Sequence, residues 1–555
     1  MLADSRVRGA VGRLPEPGGW LVHSGRSASV HPATDGRRCP HPRPLGAGAE
    51  GIGVRRGASG ERRERPGPSG VGSSCPVPQA GWQCHLLWSP QGGRRRVNRR
   101  ALLRDTSILG SAALLPGAGL GCAREPKNRR LNVILIFTDD QGSVDVNCYG
   151  AKDLYTPNLD ALAARGTRFT QFYVASPICS ASRAALLTGR YPQRAGVVSV
   201  ASGNHGLSPM QLALAKLLRG AGYRTAVFGK WHLGDRPELS PTVQGFGEFF
   251  GFRGGCIDNY SHFSHWSDPN RHDLWRGGTE VWEDGKFFPD LVVREAIRFV
   301  EENRERPFFL YLPFNAPHYP YQGEEAYRAR YASLTQPRRN YAESVSTVDA
   351  DIGRVLAKVD QLGLRENTLV IFASDNGHSA EMPASWGGGS AGPYRGGKFT
   401  LWEGGIRVPC IASLPGVIPS GEVRYQFAVS VDWFPTIAQL CGVDLPDRLL
   451  DGRSLVPVLM SPSAPPSHQV FHWQAAPQWA VREGDWKLVV NGLPCGRRDR
   501  VLPRDRVFVS NLAEDVTERT NLAPQRWRKV SHLMGLHRAW QNELWKFGEA
   551  QWKGG

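Results

Sequence analysis

The sequence predicts an α/β fold in which a large mixed, mostly parallel sheet is flanked by helices and is followed by a small C-terminal α+β subdomain. Four short apolar runs are each followed by a polar cluster, and helical patterns separate them. Strands that alternate with helices are typical of a parallel sheet. Beyond residue 468 the apolar residues instead recur with period two, which is typical of antiparallel strands.

The positive charge of the 555-residue chain is concentrated at its N-terminus. The formal net charge is +17, but residues 1–130 hold 22 Lys and Arg against 8 Asp and Glu, and residues 131–555 hold 46 against 43. A nearly neutral body gives no electrostatic argument for nucleic-acid binding. Residues 1–96 are rich in Gly, Pro, Ser and Arg, which predicts a disordered leader. The alternative is that the natural protein starts near Val97 and lacks this leader.

Residues 97–122 resemble a bacterial export signal. Arg99 and Arg100 precede a short apolar run at 107–121, a pattern typical of a Tat signal and too short to predict a membrane span. Cys122 follows this run where a lipoprotein would carry its lipid anchor, although Gly119 is a poor match to the usual leucine. A basic linker before a buried helix is the alternative. Export predicts the periplasm or cell envelope of a bacterium, and no stretch of the sequence predicts a transmembrane helix.

The first apolar run, residues 131–138, predicts a strand that is buried on both faces of a parallel sheet. It ends in Asp139 and Asp140, two adjacent carboxylates that repel one another unless a cation lies between them. Helices are predicted over 156–166 and 208–219, each with a glycine at its end.

Three further predicted strands are also followed by polar residues. Lys230 and His232 follow the predicted strand 223–228. Asn315 and His318 follow 308–312, and Asp375 and Asn376 follow 368–373. Helices predicted over 290–302 and 341–362 separate them. Because the carboxyl ends of parallel strands lie at one edge of a sheet, where α/β proteins bind ligands, we expect these side chains to meet.

Two loop regions complete the predicted catalytic domain, which spans 131–460. Residues 245–285 contain His262, His265 and His272 and are predicted to form a loop near the pocket that shapes substrate choice; a plain surface excursion is the alternative. A glycine-rich loop at 387–405 holds Lys398.

The prolines at 461–467 mark a predicted boundary, and the C-terminal subdomain is predicted over 468–555. Its predicted strands are 479–482, 486–490 and 506–509, and a tryptophan-bearing helix at 527–545 closes the chain.

One segment places a cysteine and an arginine at the start of a short apolar helix. Cys179 and Arg183 lie in the run Cys-Ser-Ala-Ser-Arg, where free backbone N–H groups and the helix dipole favour an anion. An isolated Cys-x-x-x-Arg would be explained as well by a buried structural cysteine. The ten cysteines include no CxxC pair and no zinc-like spacing, so the chain is not predicted to be a disulfide scaffold.

The polar residues of the sheet edge predict a metal and an anion pocket. Asp139, Asp140, Asp375 and Asn376 offer hard oxygen ligands, which suit Ca²⁺ or Mg²⁺ better than zinc. The cationic and proton-carrying groups are Arg183, Lys230, His232, His318 and Lys398. A cation together with these groups describes a pocket for a tetrahedral oxyanion ester.

The chain, from Leu131 to its end, resembles the formylglycine-dependent sulfatases of the alkaline phosphatase superfamily. The resemblance rests on the Asp-Asp pair, the Cys-Ser-Ala-Ser-Arg segment, Gly-Lys-Trp-His, Ala-Pro-His, Ser-Asp-Asn-Gly and Arg-Gly-Gly-Lys. It implies that Cys179 is oxidised to formylglycine by a maturation enzyme, and that the protein hydrolyses aryl sulfates or sulfated carbohydrates. It also implies a calcium ion, with magnesium the alternative.

The resemblance implies roles residue by residue. The metal ligands would be Asp139, Asp140, the modified Cys179, Asp375 and Asn376. The catalytic residues would be Cys179, Arg183, Lys230, His232, His318 and Lys398. Arg183 and Lys230 would fix the formylglycine, and His232 would take a proton. His318, Lys398 and Lys230 would bind the substrate sulfate, and His318 and Lys398 would assist the leaving oxygen.

Two questions stay open at the level of sequence. Many family members have proline where this chain has Ala181, so the sequence does not decide which maturation system acts on Cys179. A phosphate or phosphonate ester hydrolase of the same superfamily is the alternative enzyme, and a non-catalytic binder of sulfated glycans is the alternative if Cys179 is unmodified.

Overall fold

The computed structural model describes residues 130–265, 270–497 and 499–553. All of them lie in the larger of the two units into which the chain divides, residues 116–555. The predicted leader at 1–96 and the predicted export signal at 97–122 lie outside the described residues. None of the helices within the described residues is long and apolar enough to cross a membrane.

Sixteen strands are present in the described part of the chain. They are β1 Asn132–Thr138, β2 Thr167–Phe169, β3 Phe172–Tyr173, β4 Arg224–Lys230, β5 Glu248–Phe252, β6 Trp275–Arg276, β7 Thr279–Glu280, β8 Phe308–Pro313, β9 Thr368–Ser374, β10 Cys410–Ser413, β11 Glu422–Arg424, β12 Ala428–Val429, β13 Val470–Ala475, β14 Gln478–Glu483, β15 Trp486–Val490 and β16 Val507–Asn511.

Ten α-helices occur in the same residues. They are α1 Pro157–Ala164, α2 Cys179–Thr188, α3 Pro192–Ala195, α4 Leu214–Gly220, α5 Phe288–Glu302, α6 Arg338–Gln361, α7 Glu403–Ile406, α8 Trp433–Leu440, α9 Val456–Met460 and α10 Trp527–Lys553. Short 3₁₀ turns lie at Asn147–Tyr149, Pro237–Leu239, Glu325–Tyr327, Arg365–Asn367, Met382–Ala384, Ser430–Asp432 and Pro503–Asp505.

One mixed sheet organises the molecule. Its described strands follow the order β11-β2-β10-β9-β1-β8-β4-β5-β6-β7. The five strands β9, β1, β8, β4 and β5 run parallel, and β10 pairs antiparallel with β9. The four strands predicted from apolar runs are therefore neighbours and point the same way. This confirms the predicted large, mostly parallel sheet.

The apolar runs are continuous because the sheet is covered on both faces. Along β1, Val133, Leu135 and Phe137 pack into one core, and Ile134 and Ile136 pack into the core on the opposite face. The first core is covered by α2, α4 and α8, and the second by α1, α5 and α6. Each fully buried side chain of this size contributes about 1.5–3 kcal/mol of transfer free energy.

Two predicted elements differ from the structure. The helix predicted over 208–219 begins only at Leu214, because the preceding residues form a turn in which the Gln211 N–H donates to the Ser208 carbonyl. The loop predicted over 245–285 contains the parallel strand β5 and the short strands β6 and β7. Gly251 of β5 lies so close to β4 that a Cβ there would be 1.9 Å from the Gly229 carbonyl oxygen. Glycine is required at this contact, although it weakens the strand pattern in the sequence.

The chain ends in a four-stranded antiparallel sheet, β13-β14-β15-β16, and the helix α10. Three of these strands are predicted and β13 is not. The Trp473 indole of β13 donates a hydrogen bond to the Val174 carbonyl of the main core at 2.8 Å, and the buried Lys487 of β15 pairs with Glu403 at 2.9 Å. The division at 461–467 into two domains stays a prediction.

Two histidines are buried where α10 packs on this small sheet. The His537 ring stacks on Trp479 with centroids 4.1 Å apart, and the His472 ring stacks on Trp540 at 5.0 Å. Burial lowers the pKa of His472 to about 3 and that of His537 to about 4. Both imidazoles are therefore neutral in the folded protein at pH values where they are protonated in the unfolded chain.

We predict that this packing makes the fold acid-sensitive. The unfolded pKa of histidine is about 6.5, so as the pH falls below that value the unfolded chain binds protons that the folded chain does not. Each histidine then lowers the free energy of unfolding by up to about 1.4 kcal/mol per pH unit. Urea unfolding at pH 7.5 and pH 5 measures this loss. His537→Gln should show a smaller loss than the unsubstituted protein, and an equal loss would contradict the assignment.

Candidate active site at the carboxyl edge of the sheet

The carboxyl ends of β1 and β9 bring four predicted ligand residues together. Thr138 and Ser374 are register partners, so the residues that follow them lie side by side. The Asp140 N–H donates to Asp375 Oδ1 at 3.1 Å, and Asn376 Nδ2 donates to Asp140 Oδ1 at 2.7 Å. Asp139 precedes this pair and, like the others, is buried. The predicted cluster of oxygen ligands is therefore present as one group.

Helix α2 supplies the cysteine and the arginine. Cys179 is the first residue of the helix and is buried, and Arg183 lies one turn later. The Arg183 guanidinium donates to Asp375 Oδ2 from Nε at 3.1 Å and from Nη2 at 2.8 Å. Its Nη2 also lies 3.6 Å from Asp139 Oδ2. Arg183 thus joins the start of α2 to the carboxylates of the sheet edge.

Two lysines approach the same carboxylates. The Lys230 ammonium group, at the end of β4, donates to Asp139. The Lys398 ammonium group, from the glycine-rich loop, donates to Asp140 Oδ2 at 2.9 Å. Burial alone would lower the pKa of each lysine, but the neighbouring carboxylates raise both above the ordinary value. Both lysines are therefore charged.

The two predicted histidines are neutral and differ in their hydrogen bonds. His318 Nδ1 lies 2.6 Å from the Tyr319 carbonyl, which can only accept, so Nδ1 carries the proton and Nε2 accepts from Lys398 Nζ at 3.1 Å. The ring nitrogen His232 Nδ1 has no hydrogen-bond partner among the described residues. Burial and the charges of Lys230, Arg183 and Lys398 hold the pKa of His232 well below its ordinary value. A neutral imidazole in this position can take a proton.

The acidic group fits a divalent cation. Burial and the neighbouring Asp139 carboxylate, opposed by the lysine and arginine charges, raise the pKa of Asp140 to about 7 and that of Asp375 to about 6. Asp139 Oδ1 and Asn376 Oδ1 are buried and, within the described residues, have no hydrogen-bond partner. A cation between these oxygens relieves both the repulsion and the missing contacts. All the donors except Cys179 are hard oxygens, which favour calcium or magnesium.

Backbone strain marks three positions around the group. Asp140, His232 and Phe399, next to Lys398, have φ values of +59°, +52° and +67°. This left-handed conformation costs a non-glycine residue about 1–3 kcal/mol and persists only where the surroundings enforce it. Each of the three positions lies at or beside a predicted site residue.

Glu381 is a member of the site that the sequence did not reveal. Its carboxylate lies 3.4 Å from Lys398 Nζ, accepts from the Ser379 hydroxyl at 2.9 Å and from the Tyr319 hydroxyl at 3.3 Å. No motif surrounds it, and only the folding of the loop after β9 brings it to Lys398. Asn315, by contrast, follows β8 as predicted but donates to Asn259 in the loop after β5, at 2.7 Å.

Comparison with known proteins identifies the family. The family model described as Sulfatase matches residues 131–443, more than half of the chain. The chain belongs to the sulfatase family. It is a sulfuric ester hydrolase, and the alternative of a phosphate or phosphonate ester hydrolase is not supported.

Characterised sulfatases resemble the chain over most of its length. Canine N-acetylgalactosamine-6-sulfatase is 36% identical over 400 residues, which cover 67% of this chain and 74% of the canine protein. Human arylsulfatase A is 37% identical over 404 residues, or 68% and 77% of the two chains. Mouse steryl-sulfatase is 34% identical over 501 residues, or 72% and 80%.

Solved structures agree with the predicted fold. The crystal structure of Ps i-CgsB matches with a TM-score of 0.67 and 30% identity, over 74% of this chain and 93% of that one. The phosphonate monoester hydrolase of Agrobacterium radiobacter matches at 20% identity with a TM-score of 0.53, over 74% and 95% of the two chains. The second likeness shows the fold alone. The predicted alkaline phosphatase-like architecture is confirmed.

We predict that the Arg183 contacts stabilise this sulfatase strongly. Arg183→Gln removes the buried partner of Asp375 and leaves a carboxylate without its counter-charge, which costs about 3–5 kcal/mol. The matched control is Arg165→Gln, since Arg165 forms a pair with Asp360 at 3.0 Å that is exposed and contributes no more than about 1 kcal/mol. Urea unfolding compares the two variants. Equal losses would show that Arg183 does not hold the carboxylates.

Proposed function

We propose that this sulfatase hydrolyses sulfate esters of carbohydrates and that Cys179, matured to formylglycine, is the reacting residue. The observation that carries the proposal is the position of the Cys179 thiol. Burial raises its pKa, and the four charges that act on it most are Lys230, Lys398, Asp139 and Asp375. A buried thiol is a poor nucleophile, but the charges of predicted metal ligands and of predicted sulfate-binding cations both act on residue 179.

The proposed modification gives residue 179 a chemistry that cysteine and serine lack. When present, hydrated formylglycine supplies a hydroxyl that can attack sulfur and a second hydroxyl through which the aldehyde can be restored. The proposed partner is a formylglycine-generating maturation enzyme, and Ala181 leaves its type open.

Calcium is the proposed metal. Asp139, Asp140, Asp375, Asn376 and the modified Cys179 would hold it, and it would supply positive charge beside the reacting hydroxyl. The support is the group of buried oxygens described above, which is short of hydrogen-bond donors at Asp139 Oδ1 and Asn376 Oδ1.

The other residues of the site act on charge and on protons. Arg183 and Lys230 orient residue 179, since both reach the carboxylates beside it. His232 is neutral and takes a proton. The Lys398 ammonium group binds the sulfate and gives a proton to the leaving oxygen, and His318 Nε2, 3.1 Å from Lys398 Nζ, accepts from that ammonium group and assists it at the sulfate. Because these donors are buried and already in place, little reorganisation is needed when the sulfate enters.

A cavity beside the Lys398 loop supports a large anionic substrate. It has a volume of about 1000 Å³, and His378 lines it. The backbone N–H of Lys398 donates to the His378 carbonyl at 2.8 Å, so one lining residue of the cavity contacts the backbone of the Lys398 loop. Its described lining includes the arginines Arg395, Arg497, Arg500, Arg504 and Arg519. Acidic side chains among the same residues number only three, Asp499, Asp505 and Glu518.

Two of the proteins that resemble this chain support the same substrate class. The canine relative is named for a sulfated amino sugar, and the structure of Ps i-CgsB was also solved with bound k-i-k-neocarrahexaose. We therefore infer that the substrate is a sulfated oligosaccharide or polysaccharide and that the arginine-lined cavity holds further anionic groups of it.

Export to the periplasm or cell envelope of a bacterium, with a lipid anchor at Cys122 as one form of it, is the proposed location. It is supported by the Arg99-Arg100 pair and the apolar run that follows. Sequencing the N-terminus of the natively expressed protein tests it, and a mature N-terminus before Val97 would contradict it.

We predict that Cys179→Ala abolishes sulfate release from sulfated oligosaccharides, because no other side chain at this position supplies the reacting group. Cys256→Ala is the matched control and should retain activity, since Cys256 lies near the site but outside its proposed machinery. Mass spectrometry of the peptide containing residue 179 from native cells should detect formylglycine. Unmodified cysteine in active protein, or turnover by Cys179→Ala, would overturn the proposal.

We predict that removal of calcium both destabilises and inactivates the protein. A cation that binds only the folded state at 100 times its Kd adds about 2.7 kcal/mol of stability. Chelation should therefore lower the melting temperature, and Ca²⁺ should restore it more fully than Mg²⁺. Asp375→Asn should reduce this response, whereas Asp360→Asn, which changes an exposed carboxylate far from the site, should keep it. A melting temperature insensitive to Ca²⁺ would contradict the assignment.

A further inference from the structure

The loop that follows β5 gathers two histidines and a carboxylate away from the sheet edge. His262, His272 and Asp284 each offer one ligand atom, and these atoms all lie within 4.8 Å of one another. Isolated bridges join residues 257 to 264 and 263 to 272, which holds the two arms of the loop together. The three residues share no member with the proposed calcium ligands.

His262 has one ring nitrogen with a partner and one without. Its Nε2 atom lies 3.0 Å from the Lys286 carbonyl oxygen, which can only accept, so Nε2 carries the proton. The lone pair is therefore on Nδ1. The residue is fully buried, and its Nδ1 has no hydrogen-bond partner within the part of the chain that the structure describes.

His272 has the same arrangement with its nitrogens exchanged. Its Nδ1 atom donates to Glu280 Oε1 at 2.9 Å, which in the neutral imidazole leaves the lone pair on Nε2. The side chain is only 3% exposed, and Nε2 has no hydrogen-bond partner among the described residues. The ring lies flat on the Trp282 indole, with centroids 3.8 Å apart and an angle of 7° between the planes. Stacking and the Glu280 contact together fix the ring.

This pattern is that of metal-binding histidines. A ligating imidazole donates its other N–H to a carboxylate or a backbone carbonyl, which sets the tautomer and turns the lone pair to the metal. His272 uses the carboxylate and His262 the carbonyl. A buried polar atom without a partner costs about 1–3 kcal/mol, and other buried histidines among the described residues, His472 and His537, have such ring nitrogens too. What sets His262 and His272 apart is that the two rings and a carboxylate belong to one small cluster.

We propose that His262 Nδ1, His272 Nε2 and the Asp284 carboxylate bind one divalent transition-metal ion, with zinc as the best fit. Imidazole and carboxylate ligands suit Zn²⁺, whereas the all-oxygen group at the sheet edge suits calcium. Asp284 is exposed, so water can complete the coordination. This site stands independently of the proposed sulfatase mechanism.

The ion cross-links the loop that borders the active site. Asp273, next to His272, accepts hydrogen bonds from the N–H groups of Arg253 at 3.1 Å and Gly254 at 2.8 Å. The following glycine, Gly255, packs so close to His232 that a Cβ there would lie 3.2 Å from its Nε2 atom. An ion that fixes His262 and His272 therefore also restrains Gly254 and Gly255, and Gly255 packs beside His232.

The test is a titration of the full chain with Zn²⁺ after removal of bound metals and in the presence of excess Ca²⁺, which occupies the oxygen site. Calorimetry should detect one zinc equivalent. His272→Ala and Asp284→Asn should weaken the Kd at least 10-fold, and Glu280→Ala, which removes the acceptor of the His272 Nδ1–H, should weaken it about 10–100-fold. Glu283→Gln, a neighbouring carboxylate outside the cluster, should bind zinc as the unsubstituted protein does.

Two further measurements keep the result decisive. Co²⁺ in place of Zn²⁺ should give a visible absorption band that the Asp284→Asn variant lacks, and Zn²⁺ should slow proteolysis of the loop. Asp284 and Glu280 lie at the surface, so their substitution leaves the fold intact. Equal zinc affinity in all four variants would overturn the proposal. Loss of zinc binding in Asp375→Asn but not in Asp284→Asn would overturn it too, because zinc would then occupy the oxygen site.

Discussion

The pairing of buried charges at the carboxyl edge of the sheet is the constraint on which the rest of the structure depends. Asp139, Asp140 and Asp375 meet the cations of Arg183, Lys230 and Lys398 with almost no exposure to water. Burying an unpaired charge costs several kcal/mol, so each group is tolerable only with the others in place. Five separate segments of the chain supply these six residues, and the fold must bring all five to one point.

This balance also explains why the cations can serve an anion. Three acidic and three basic groups offset one another without a bound ion. In the proposed mechanism a divalent cation would take over the neutralisation of the carboxylates, and the lysine ammonium groups would then have charge to offer a sulfate. The proposed metal and the substrate anion would thus be coupled through the same salt bridges. This arrangement includes strained backbone positions, Asp140 and His232 among them, which the close-packed sheet holds in place.

The sequence predicts the parts of this arrangement that follow from local pattern. Apolar runs identify β1, β4, β8 and β9, and the rule for parallel strands places the residues after them at one edge, as the structure has it. The sequence does not predict β5, because the close contact of Gly251 with Gly229 requires a residue that weakens the strand pattern. Glu381 reaches Lys398 only through the path of an irregular loop, and such a path leaves no periodicity to detect.

Sequence pattern likewise does not predict a role in metal binding for the histidines of the loop after β5, because that role depends on contacts in three dimensions. His262 and His272 are ten residues apart, a spacing that matches none of the common short zinc motifs, and sequence alone predicts a loop that shapes substrate choice. What distinguishes them is the partner of the second ring nitrogen, the Lys286 carbonyl for one and the Glu280 carboxylate for the other. Those partners decide which nitrogen carries a lone pair, and hence which atoms can bind a metal. The chemistry of a site therefore depends on contacts one layer outside it, at the proposed zinc site as at His318, where the Tyr319 carbonyl leaves Nε2 free to accept from Lys398.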